Sequence, residues 1–178
     1  MATREPIVET ALTSLVETFN QLGKSPPIVM LLDNSGKMHV VGPLDESENI
    51  GTQIKNIIVD YLRYMASPLT HVIVCTEAVE CNAANLDAQT IRDLWSGKIR
   101  PEDVAAEKRD VMVALVQYKD GSVETLAYPV DRSGEKAVLG TPRCQMRKPG
   151  ESSNLVHTFD LAREWDVDLS DLTYSNRS

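Results

Sequence analysis

Residues 109–130, RDVMVALVQYKDGSVETLAYPV, hold two runs rich in valine, leucine, alanine and tyrosine on either side of Asp120-Gly121. β-Branched and aromatic side chains fit a pleated, half-buried surface. An Asp-Gly pair between two such runs supplies the positive φ of a tight hairpin turn. This stretch constrains the fold more than any other, because a hairpin sets antiparallel neighbours and needs further strands beside it to be stable. PPIVMLLDNSGKMHVVGP, residues 26–43, repeats the pattern, with Asp33-Asn34-Ser35-Gly36 at its turn. Between the hairpins lies LTHVIVCTE, residues 69–77. Successive strand side chains face opposite ways, so Val72, Ile73, Val74 and Cys75 leave neither face polar. That marks a central strand buried on both sides. KAVLG, residues 136–140, adds a short edge strand.

Three segments carry the 3.6-residue period of helices instead. In PIVETALTSLVETFNQL, apolar residues stand at 7, 8, 11, 12, 15, 16, 19 and 22, with Pro6 at the start and Gly23 at the stop. In a second helix Ile50, Ile54, Ile57, Ile58, Tyr61, Leu62 and Met65 share a face, Asp45 and Glu48 offer a capping-box-like start, and Ser67-Pro68 closes it. LDAQTIRDLWSG forms a short third helix, and Pro101 opens a further helical turn. The fold class is α+β: a largely antiparallel sheet of about five or six strands built from hairpins, with helices on one face or both. The element order is distantly similar to profilin-like and roadblock-like modules. Residues 1–140 form one domain, 141–154 an exposed loop, and 155–178 an amphipathic C-terminal segment.

Of the chain's 178 residues, 42% are hydrophobic and only 5% aromatic, so aliphatic side chains must fill the core. A net charge of −8 repels phosphate backbones and disfavours nucleic acid as a partner. No apolar run is long enough to span a bilayer, and MATREPIVET lacks the apolar centre of a secretion signal. Three cysteines without framework spacing fit reduced thiols and a cytoplasmic location.

Several chemistries fail on their motifs. A zinc deaminase needs His-x-Glu on one helix and Cys-x-x-Cys on another; the second helix has neither His nor Cys, and no Cys-x-x-Cys occurs. Gly23-Lys24-Ser25 ends like a phosphate-binding loop, but position 18 is Thr and a helix precedes it. His39, His71 and His157 fall in separate elements without ligand spacing, so neither metal nor cofactor is expected. An extended chain holds Cys75 and Cys81 about 20 Å apart, well beyond disulfide reach. Cys75 then reads as a core residue and Cys81 as the more reactive thiol.

What remains is a candidate polar site. Glu77 and Glu80 sit where the buried strand emerges, with Arg109 as the third member. Arg143, Arg147 and Lys148 form a basic cluster in an acidic chain and suit an acidic partner or a phosphate group. In residues 155–172, Leu155, Phe159, Ala162, Trp165, Leu169 and Leu172 recur at intervals of three or four, which gives Phe159 and Trp165 the places of aromatic anchors.

TEAVECN followed by GKIRPEDVAAEKRDVMVALVQYKDGS, within residues 70–125, resembles a group of uncharacterised bacterial proteins. The matching residues are Glu77, Ala78, Pro101, Arg109 and Asp110, with Val79 where an aromatic is expected. The resemblance implies a prokaryotic or phage origin and no activity. The sequence thus favours a non-enzymatic interaction or regulatory module, with a protein partner or self-association, over a small hydrolase or ligand-binding domain centred on Glu77 and Glu80.

Overall fold

A computed structural model describes residues 4–45, 47–48, 50–64, 69–81, 84, 86–100, 103–104, 107–118 and 122–148. The fold is α+β, with three helices and a curled antiparallel sheet. In chain order the elements are α1 (Pro6–Leu22), β1 (Ile28–Asp33), β2 (Met38–Val41), α2 (Ile50–Tyr64), β3 (Leu69–Cys81), α3 (Ala88–Trp95), β4 (Lys108–Tyr118), β5 (Val123–Asp131), β6 (Val138–Leu139) and β7 (Arg143–Arg147). The strand order is β2-β1-β3-β4-β5-β6, with β7 also paired to β5. Both hairpins form: Leu32 faces Met38 across the first, and Gln117 faces Val123 across the second.

The period-2 pattern now acquires two distinct cores. Val8, Ala11, Leu12, Leu15 and Phe19 of α1 pack on Met30, Leu32, Ile73, Cys75, Met112, Ala114, Val116, Leu126 and Tyr128. On the opposite face Ile54, Ile58 and Tyr61 of α2 pack on Val29, Leu31, Val72, Val74, Val113 and Leu115. Helices therefore cover both faces, and β3 and β4, with strands on each side, are apolar on both. Each fully buried large side chain stabilises by about 1.5–3 kcal/mol relative to exposure.

Helix ends follow local chemistry. Pro6 opens α1, where its missing N–H costs nothing. Gly23 closes α1 at φ 72° and donates its N–H to the Phe19 carbonyl, a left-handed conformation that other residues adopt only with strain. The Asp87 side chain caps α3 by accepting from the Thr90 N–H. At the approach to α2 the expected Asp45–Glu48 box gives way to a different exchange: Gln53 accepts from the Asp45 N–H at 2.8 Å and donates to its carbonyl at 2.7 Å.

The antiparallel sheet, of six to seven strands, matches the expected fold. One expectation needs correction. Residues 143–147, read from sequence as part of an exposed loop, form β7, with Arg143 opposite Ala127 and Arg147 opposite Val123. RCQMR carries no β-branched residue, so its strand state comes from pairing with β5 and not from propensity. The anchor residues Phe159 and Trp165, like the rest of 155–178, lie outside the described residues. So does the turn at Asp120-Gly121.

Candidate functional site

β3 outlasts its apolar run. Beyond Cys75 it continues through Glu77 and Glu80 because β4 pairs it as far as Cys81, opposite Lys108. β1 begins only at Ile28, opposite Cys75, so this far part of β3 is supported by β4 alone among the described strands. Glu77 and Glu80 are three residues apart on a strand and therefore face opposite sides of the sheet.

Glu77 lies on the α1 side. Its Oε1 accepts from the Ser25 N–H at 2.7 Å and its Oε2 from Arg132 Nη2 at 3.0 Å. Arg132 also donates through Nε to Asp110 Oδ2 at 3.0 Å. One arginine just past β5 thus ties β3 to β4 across their upper surface. Ser25 Oγ lies 3.5 Å from Cys75 Sγ. Burial pushes the Cys75 thiol up to about 11 against that hydrogen bond, so it stays protonated at neutral pH.

Glu80 lies on the α2 side and is only 5% exposed. Its cross-strand neighbour Arg109 donates through Nε to Oε2 at 2.7 Å. Arg143 reaches over from β7 and donates through Nη2 to both carboxylate oxygens. The curl of the sheet makes that span possible. Burial alone raises this carboxyl, but the Arg143 and Arg109 guanidiniums outweigh it and hold Glu80 below its ordinary value. An ionised carboxylate engaged by two arginines is an acceptor and a positioning group, not a general acid at neutral pH.

Of the sequence-predicted residues, the structure therefore unites Glu80, Arg109 and Arg143. It separates Glu77 from them by the thickness of the sheet. Arg147 shares the α2-side face of β7 with Arg143, and Lys148 follows the strand. Sequence reasoning missed Arg132 as the partner of Glu77, and Asp110 as the second acceptor of that arginine. An Arg-Ser-Gly turn after an apolar strand is too common to signal such a contact.

Two further polar clusters escaped the sequence. Asp33, 3% exposed, ends β1. Its Oδ1 accepts from Ser35 N–H, Ser35 Oγ and Lys37 N–H at 2.9, 2.5 and 3.2 Å. Its Oδ2 accepts from His39 Nε2 at 3.0 Å and the Tyr61 hydroxyl at 3.3 Å. Burial opposes the charge, yet these donors hold the carboxyl far below its usual range. Burial, with Asp33 beside it, pushes the Tyr61 phenol up to about 12. On the other face Arg4 Nε donates to Glu124 Oε1 at 2.7 Å, and the Tyr118 hydroxyl donates to Oε2 at 2.8 Å. Arg4 Nη2 also lies 3.2 Å from Cys144 Sγ. His39 and His71 occupy opposite faces, since their strand partners Leu31 and Leu32 belong to different cores.

A shallow cleft of about 350 Å³ opens between the end of β2 and α2, lined by Val41, Pro43, Leu44, Gln53, Asn56 and Ile57. None of the carboxylates or arginines above lines it.

No described helix is long and apolar enough to cross a membrane. Compared with protein-family models, curated proteins and solved structures, the chain matches none.

Proposed function

We propose that this chain is a non-enzymatic interaction module that works in the cytoplasm of a prokaryote or in a phage-encoded system. The observation that carries the reading is the open sheet. β2 stands at one margin and β7, with the short β6, at the other, and each pairs on one side only among the described residues. Met38 and Val40 on β2 are 37% and 60% exposed, and Met146 on β7 is 52% exposed. Unpaired edges with apolar side chains are templates for an extended segment of another protein. The alternative, a small hydrolase or ligand-binding domain using Glu77 and Glu80 together, loses support from their opposite orientations and from the arginines that engage each. The net charge of −8 argues against a nucleic-acid partner.

The test is quantitative co-purification from cells that make the protein, comparing the full chain with Val40→Lys and with Arg143→Glu/Arg147→Glu. The reading expects a protein enriched by the parent chain and depleted by at least one of these folded variants. An identical set of companions for all three would sink it. So would a turnover abolished by Glu77→Gln in a protein that stays folded.

A further inference from the structure

Glu80 holds more positive charge than its own neutralisation requires. One guanidinium balances one carboxylate, yet both Arg109 and Arg143 converge on it. The surplus is one positive charge on the surface of a chain whose net charge is −8. The two arginine side chains are 54% and 48% exposed, whereas the Glu80 side chain is 6% exposed. Each guanidinium keeps unused donors: both terminal amino groups of Arg109, and Nε and Nη1 of Arg143, meet no acceptor among the described residues. A buried carboxylate that fixes two half-exposed forks has the form of a preorganised anion receptor. Arg147, four residues along the same face of β7 and about 13 Å from Arg143, forms no ion pair among the described residues and extends the positive track.

We propose that Arg109 and Arg143 receive a carboxylate from an acidic, extended segment of a partner protein, with Glu80 as the residue that positions them. This rests on the interaction-module reading above and names the partner's chemistry. The surplus of one charge matches a carboxylate. A phosphate dianion would overcompensate it beside Glu80 and within an acidic chain. A single carboxylate on an open surface binds only at millimolar levels or weaker. Useful affinity therefore needs a segment whose further acids reach Arg147. A second copy of this chain fits poorly. Antiparallel pairing of two β7 strands about Gln145 would set Arg143 of each against Arg147 of the other, and like charges directly opposite repel.

The experiment is arginine Nε–Hε NMR on the full chain, titrated with blocked hexaglutamate, with hexaglutamine and with acetate. Hexaglutamate should shift the Arg109 and Arg143 signals saturably, and hexaglutamine should not. Arg109→Gln and Arg143→Gln should each weaken binding about tenfold or more, and Arg147→Gln two- to threefold. Glu80→Gln separates positioning from bulk charge. It raises the local charge, so bulk electrostatics demands tighter binding, whereas loss of positioning weakens it. Glu80→Asp serves as the second variant if Glu80→Gln does not fold. Unmoved Arg109 and Arg143 signals, acetate as effective as hexaglutamate at equal carboxylate concentration, or tighter binding by Glu80→Gln would overturn the proposal. So would a shift of both arginine signals, without peptide, on neutralising Asp160, Glu164, Asp166, Asp168 and Asp171, because the chain's own acids would then be the occupant. If hexaglutamate fails while Val40→Lys still strips a companion protein, the carboxylate receptor falls and the interaction module stands.

Discussion

Replacing Asp33 with asparagine tests whether the first hairpin is held by one buried charge. The parent carboxylate accepts five hydrogen bonds: three at Oδ1, from Ser35 and Lys37, and two at Oδ2, from His39 and Tyr61. Asparagine keeps an acceptor for the first three but turns the second oxygen into a donor facing two donors. His39 and Tyr61 can invert their roles only by changing tautomer or rotating the hydroxyl. Hydrogen bonds to charged groups contribute about 1.5–3 kcal/mol and neutral ones about 0.5–1.5 kcal/mol. Losing the charge across this network while inverting two bonds should therefore cost about 2–4 kcal/mol at pH 7. The sign with pH follows from the depressed carboxyl. A lowered folded pKa gives stabilisation that is complete above the unfolded value, about 3.9, and fades as pH falls from there toward the folded value. Urea denaturation of both proteins from pH 7 to pH 3 is the assay. The gap should narrow below about pH 4. Other carboxylates titrate in both proteins and cancel in the difference. A gap under about 0.5 kcal/mol, the size of an ordinary surface substitution, would refute the reasoning. So would a larger gap that does not narrow in acid.

Other outcomes follow from single contacts. In native thiol labelling, exposed Cys144 should react promptly, while Cys75, buried and with its thiol raised to about 11, should react only through opening of the structure; comparable rates would place Cys75 wrongly. Gly42→Ala should destabilise by about 1–3 kcal/mol in chemical denaturation, because a Cβ there would stand 2.7 Å from Ile28 Cγ2; an unchanged midpoint would refute the close approach. Glu80→Gln should cost about 1–2 kcal/mol after discounting for the half-exposed arginines, read as a lower denaturation midpoint, and no change would make the cluster a surface ornament. Deleting residues 155–178 should abolish folding if that amphipathic segment caps this chain, or leave a folded chain that has lost self-association or its partner; sedimentation and thermal melting distinguish these, and no change in either would refute a docking role.

The apolar patterns made most of the sheet legible. Val72 to Cys75 announced a strand buried on both sides, and the two hairpins fell where turn residues interrupt β-rich runs. Pro6 and Gly23 marked both ends of α1. Legibility failed wherever the stabilising contact is distant in sequence. β3 extends past Glu77 because Lys108 to Met112 offer a ladder, which Val79 and Glu80 alone do not advertise. β7 was hidden for the same reason. Its residues are mostly charged or polar and exposed, as suits a strand at a sheet margin, and only β5 makes it a strand. Arg109 could be grouped with Glu80 as a neighbour of the long hairpin. Arg143 could not, because its reach depends on how far the sheet curls between two residues 63 positions apart in sequence. Asp33 looked like a turn residue, which it is; its capture by Tyr61 requires α2 to lie on the same face of the sheet.

The placement of the buried carboxylates has a further consequence for specificity. Runs such as VIVC and VMVALV are apolar on both faces, so alternation alone says little about how β3 should align with β4. A slip of one residue exchanges the faces of every side chain, and here one apolar face would simply replace another. The charges at the strand ends remove that freedom. One residue out of register, Glu80 would turn toward the α1 side, away from Arg109 and Arg143, and Glu77 would leave Arg132 and the Ser25 N–H. A two-residue slip keeps the faces but moves Glu80 about 7 Å along the ladder, beyond the contact with Arg109. Either error strands an ionised carboxylate at a largely buried position, and breaking a buried pair costs about 3–5 kcal/mol, less where the arginines are half exposed. The sum of several such penalties is comparable to the whole stability of a domain, about 5–15 kcal/mol. In this sheet the apolar runs supply the driving force for burial, and Glu77, Glu80 and their arginines select the one alignment in which it can be used.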